Sequence, residues 1–100
     1  MKTAARLAAF FLIAVACSGQ APVPRDGYVP DEKTAVKIAE AVLSPIYGEG
    51  QIQQERPFHA VLKDGVWIVS GLIPQGWDGG AAEIHIDKRT GQILRHIHYK

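Results

Sequence analysis

The stretch Phe58–Leu72, FHAVLKDGVWIVSGL, restricts the fold more than any other part of the chain. Asp64-Gly65 sits between two apolar runs, and this dipeptide supplies the positive φ angles of a two-residue primed turn. Val66, Trp67, Ile68 and Val69 after the turn are all β-branched or aromatic, which suits a pleated surface. No polar residue breaks that run, so the strand is expected to be central and covered on both faces. Val61 and Leu62 lead to the same expectation for its partner strand. Pro57 has no amide hydrogen and belongs at the start of the first strand, not in its middle.

The remaining segments are arranged around this hairpin. The chain has 100 residues, enough for one domain. Met1–Ala16 carries Lys2 and Arg6, then an apolar run ending in small residues, the pattern of a secretory signal. The run is too short to span a bilayer, which takes about 20 residues. Ala14-Val15-Ala16-Cys17 resembles the bacterial lipobox, with Ala14 where leucine is more usual. Cys17 is the chain's one cysteine, so it has no intramolecular disulfide partner, and lipid modification would account for it. The alternative is an ordinary signal cleaved after Ala16, leaving a free thiol. Ser18 follows, not the aspartate of inner-membrane retention, so the outer of two membranes is expected. Pro22, Pro24, Pro30, Gly19 and Gly27 make residues 18–30 read as a flexible tether. The expected organisation is therefore a signal peptide (1–16), a lipidated Cys17 with its tether (17–30), and one domain (31–100).

Asp31 opens the one convincing helix. It is an N-cap after Pro30, and Glu32 suits the positive end of the helix dipole. Ala35, Ile38, Ala39, Val42, Leu43 and Ile46 recur at three- and four-residue spacing, so the helix is a lid with one apolar stripe. Pro45 and Gly48 are expected to end it. Gly48–Arg56 reads as a polar connection, and Pro74–Gly80, PQGWDGG, as a loop whose Trp77 either folds back over the core, the favoured reading, or is presented to a ligand or partner. Ala82–Lys88 and Gln92–Tyr99 form a second hairpin, with Ala82, Ile84 and Ile86 alternating with Glu83, His85 and Asp87. The expected fold class is α+β: one N-terminal helix packed on a curved antiparallel sheet of about four strands.

Chemistry is sparse. His96 and His98 share a face, and if Ile86 pairs with Ile93, His85 and Glu83 fall on it too. Such a set resembles weak metal ligands, but its spacing matches no established motif, and no metal is expected. Ser44 and Ser70 lack the surroundings of a nucleophile elbow, and there is no glycine-rich phosphate loop before a helix. Net charge is +1, with no basic cluster interleaving aromatics, so nucleic acid is not an expected partner. No catalytic residue and no cofactor are expected.

From Asp31 to Lys100 the chain resembles a short bacterial immunity-protein family with a nuclear-transport-factor-2-like fold. The resembling pieces are TAVKIAEAVLSPIYGE, ERPFHAVLKDGVWIVSG, the Gly79-Gly80 pair and EIHIDKRTGQILRHIHYK. The resemblance implies a small cone-like sheet with a helix and, for some members, neutralisation of a toxin; it brings no catalytic residues. With the lipoprotein-like start, the expected protein is a periplasmic, lipid-anchored, non-enzymatic binder of a protein toxin. Trp77, Asp78, His85, His96 and His98 are its candidate contact residues. The alternative is a periplasmic lipoprotein that binds a small molecule or metal.

Overall fold

The computed structural model describes residue 19 and residues 21–100. The expected signal peptide and Cys17 lie outside the described residues. Helix α1 runs over Glu32–Tyr47 and a short helix α2 over Glu49–Gln54, followed by strands β1 (His59–Lys63), β2 (Val66–Ser70), β3 (Ala82–Asp87) and β4 (Ile93–His98). The strands form one antiparallel sheet in the order β1-β2-β3-β4. With α1 packed across β1, β2 and β3, this is the α+β architecture expected from the sequence.

The Asp64-Gly65 turn forms as expected, with φ of 50° and 77°. Asp31 caps α1, its side chain accepting from the Thr34 amide at 2.8 Å. The helix buries Ala35, Ala39 and Leu43 against Trp67, Val69, Ala82, Ile84 and Ile86 of the sheet. Side chains as large as Leu43, Ile84 and Ile86, all fully buried, contribute roughly 1.5–3 kcal/mol each before entropy is subtracted.

Several expectations change. The Val66–Val69 strand is central but covered on one face only, because the described residues supply a helix layer on one side. Trp67 and Val69 are buried there, while Val66 and Ile68 are half-buried on the other face. Val61 and Leu62 are 57% and 45% exposed, because β1 is the sheet's edge and only Ala60 of that strand is buried. Pro45 lies inside α1 and does not end it; Gly48, at φ 99°, does, its amide bonding to the Ser44 carbonyl. The segment read as a polar connection contains α2, which buries Ile52. Ile46, expected on the apolar stripe, is exposed.

The stretch read as tether also contributes to the core. Val29 is fully buried. Its amide and that of Tyr28 bond to the Lys88 and Arg89 carbonyls at 3.0 Å, and its own carbonyl accepts from the Trp67 indole at 2.8 Å. Gly27 passes so close to the β3–β4 turn that a Cβ there would lie 2.4 Å from the Lys88 carbonyl. Replacing Trp67 with Phe keeps the aromatic packing and removes the indole bond, so it should lower stability by about 1 kcal/mol in urea unfolding. It should also increase proteolytic cutting between residues 24 and 30.

Candidate partner interface

Two hairpins and the loop between them place the polar side chains, and one irregularity in β4 decides which face each takes. Ile86 does pair with Ile93, but the next pair is His85 with Arg95, so Leu94 is an extra residue bulged out of the ladder. Beyond it, His96 lies opposite Ile84 and His98 opposite Ala82, on the face that α1 covers. His85 and Glu83 point the other way. The single surface expected of His85, His96 and His98 is thus divided by the sheet itself, because one inserted residue reverses every later side chain. Among the described residues, no group of three or more His, Cys, Asp or Glu side chains is arranged to hold a metal ion.

On the helix face, the turn after α2 brings in Glu55, a fully buried carboxylate. One of its oxygens accepts from the Ala82 amide at 2.6 Å; the other lies 2.8 Å from both Gln51 Nε2 and His98 Nε2. The Glu55 carbonyl accepts from the Leu72 amide at 2.8 Å. One residue therefore ties α2, the end of β2, the start of β3 and β4. Burial pushes the Glu55 carboxyl upward, but the Ala82 amide, Gln51 and His98 pull it down further, so it sits below the ordinary value of 4.5. Tyr47, at the end of α1, reaches His96 Nδ1 at 3.2 Å and lies edge-on to it. Its ring also lies 5.3 Å from that of His98. His98 is thus engaged inside the molecule, whereas His96 is exposed.

On the opposite face, Glu83 lies 2.9 Å from His85 Nε2 and accepts from the Tyr99 hydroxyl at 3.3 Å. Beside them a cavity of about 310 Å³ is lined by Ser70, Gly71, Ile73, Gly80, Glu83 and Tyr99, among others. The ends of the Leu72–Gly80 loop thus border the His85 side of the sheet. Trp77, expected to fold over the core, is 43% exposed, and Asp78 and Ile73 are exposed with it. The loop is held at both ends: Gly71 and Leu72 donate to Ala82 and Glu55, and the Gly80 amide donates to the Tyr99 carbonyl at 3.1 Å. Gly80 is required there, since a Cβ would sit 2.4 Å from that of Tyr99.

Glu55 is the structural support beside the candidate surface that sequence reasoning missed. Its one signal is a carboxylate two residues before a proline, in a segment that reads as a polar connection. Glu55→Gln keeps an acceptor for the Ala82 amide but turns an amide donor toward Gln51 and His98. It should cost about 3 kcal/mol at neutral pH. Because the native carboxyl sits below its unfolded value, its stabilisation is fully present above pH 4.5 and is lost as pH falls through the native value. Asp31 and Asp87, held low by Thr34 and Thr90, act in the same sense. Urea unfolding at falling pH should therefore show a shallower loss in Glu55→Gln than in the unsubstituted protein, with some slope remaining.

The comparisons with known proteins agree with this architecture. Residues 34–100 match the family model described as NTF2 fold immunity protein. The chain is also 32% identical over 73 residues to the uncharacterized protein YbbC of Escherichia coli (strain K12), an alignment covering 72% of this chain and 60% of that protein. The chain thus spans about three fifths of the length of the curated relative it matches. No solved structure matches it significantly. The family match takes in nearly all of α1, α2 and all four strands, and the chain belongs to the NTF2 fold immunity protein family.

Proposed function

We propose that this protein binds and neutralises a protein toxin at the bacterial cell envelope, and that it does so by contact, not by catalysis. Membership of an immunity family over residues 34–100 is the observation that carries the toxin-neutralising class. The surface we assign to contact is the Leu72–Gly80 loop with the adjoining outer face of β3, where Trp77, Asp78 and His85 stand. An exposed tryptophan on a loop tied at both ends loses little freedom on binding, and Trp is among the residues that most often dominate interface energetics. Asp78 beside it would favour a cationic feature on the toxin. The cavity between Ile73, Glu83 and Tyr99 offers a socket for one partner side chain. His98 is held by Glu55 and takes no part; His96, on the helix face, is a separate contact point.

The envelope location rests on the N-terminal sequence: a signal peptide over 1–16, lipid on Cys17, and a spacer that ends before Gly27. Two or three acyl chains, at roughly 0.8 kcal/mol per buried CH₂, anchor a small domain stably.

Affinity capture of the protein from membranes of its own cells, followed by mass spectrometry, should recover one stoichiometric secreted effector. Trp77→Ala with Asp78→Ala should weaken binding of that purified effector at least tenfold and abolish protection of cells against it, leaving the unfolding midpoint unchanged. Unaltered protection would place the interface elsewhere. Cys17→Ser should move the protein from the membrane to the soluble fraction; retention at the membrane would remove the lipid anchor from the account.

A further inference from the structure

Among the described residues, β1 is an edge strand with no strand on its outer side. Its two-residue turn makes Lys63 and Val66 a hydrogen-bonded pair, so alternation along the ladder turns the peptide groups of Ala60 and Leu62 away from β2. The Ala60 amide confirms the direction, since it donates outward to Glu32 at 3.2 Å. The Ala60 carbonyl and the Leu62 amide therefore face outward at the edge. The strand is regular, and Val61 and Leu62 expose large apolar side chains on its two faces. The opposite edge differs: β4 is interrupted by the Leu94 bulge and carries Arg95, both of which oppose strand addition.

We propose that β1 is the seam of a symmetric dimer, in which the β1 edges of two copies pair antiparallel about a two-fold axis near Val61. This inference stands apart from the toxin-binding function. The outward groups are self-complementary: the axis brings each Leu62 amide to the other copy's Ala60 carbonyl, while Glu32 holds the Ala60 amide. It sets Val61 against Val61 and Lys63 beside the other copy's His59, so no two lysines are directly opposed. A groove of about 740 Å³ beside this edge is lined by Val36 and Phe58 and by both charge signs, from Glu32, Glu40, Lys33 and Lys37. A surface of mixed sign can meet its own rotated copy with opposite charges facing. Pairing β1 to β1 closes after two copies, whereas β1 to β4 would continue without end, and the bulged, charged β4 edge opposes that growth.

Sedimentation equilibrium of the full-length protein across a wide concentration range tests this. The expected result is the mass of two chains. Leu62→Pro removes the outward amide without touching the β1–β2 ladder, so it should give the mass of one chain with the thermal midpoint retained. Leu62→Lys, which keeps every backbone group, should weaken the dimer at least tenfold and decides the matter if the proline variant does not fold. A one-chain mass for the unsubstituted protein at every concentration overturns the proposal, as does a two-chain mass for a folded Leu62→Pro variant. A one-chain protein whose toxin binding is lost in Leu62→Lys would assign the edge to the toxin and also overturn it.

Discussion

The buried carboxylate of Glu55 is the contact on which the rest of this small domain depends. It is the one charged side chain fully buried among the described residues, and both its oxygens are engaged, one by the Ala82 amide and the other by Gln51 and His98. Around it the backbone closes tightly: a Cβ on Gly71 would lie 2.9 Å from that of Glu55 and 2.9 Å from the Phe58 ring. A buried carboxylate is costly unless it is hydrogen-bonded, so displacing α2 relative to the sheet would break bonds that this group needs. It also holds the two ends of the Leu72–Gly80 loop, since Leu72 donates to the Glu55 carbonyl and Ala82 to its carboxylate. Glu55 and the proposed contact surface thus lie on opposite sides of the same junction.

The Leu94 bulge divides the polar residues between two tasks. Without it, His96 and His98 would join His85 on the open face. With it, His98 turns inward to complete the Glu55 site and His96 meets Tyr47 at the end of α1. His85 is left with Glu83 and Tyr99 beside the loop. One extra residue therefore divides a line of three histidines into one internal support, His98, and two further groups on opposite faces, His96 and His85. That division leaves the outer face with a cavity lined by Ile73, Glu83 and Tyr99 among others, and with the Glu83–His85 pair.

Much of the fold was legible because it is carried by local signals. Asp64-Gly65 dictates its turn, Asp31 its helix start, and the alternation of Ala82, Ile84 and Ile86 its buried strand face. What was not legible depends on contacts distant in sequence. Val29 is buried through Trp67 and the Lys88–Arg89 turn, which nothing in a proline-rich stretch announces. Val61 and Leu62 look like core residues until strand order places them at an edge. Pro45 does not break α1, because the chain remains helical through it to Tyr47. A bulge has no reliable sequence signature when the inserted residue is an ordinary leucine, so the faces of His96 and His98 were assigned with the wrong parity. Of the candidate contact residues, Trp77 and Asp78 stand out in the sequence because glycines mark their loop; the buried Glu55 does not, because it sits among exposed polar neighbours.

The proposed function has a toxin meeting this immunity-family domain through the Leu72–Gly80 loop and the His85 face of the sheet. Hydrogen–deuterium exchange of the protein, alone and bound to the effector recovered with it, tests this most directly. The expected result is new protection across residues 72–81 and at the β3 amides around His85, with α1 unchanged. Protection confined to α1 and the His96 side, with the loop exchanging as in the free protein, would contradict the account.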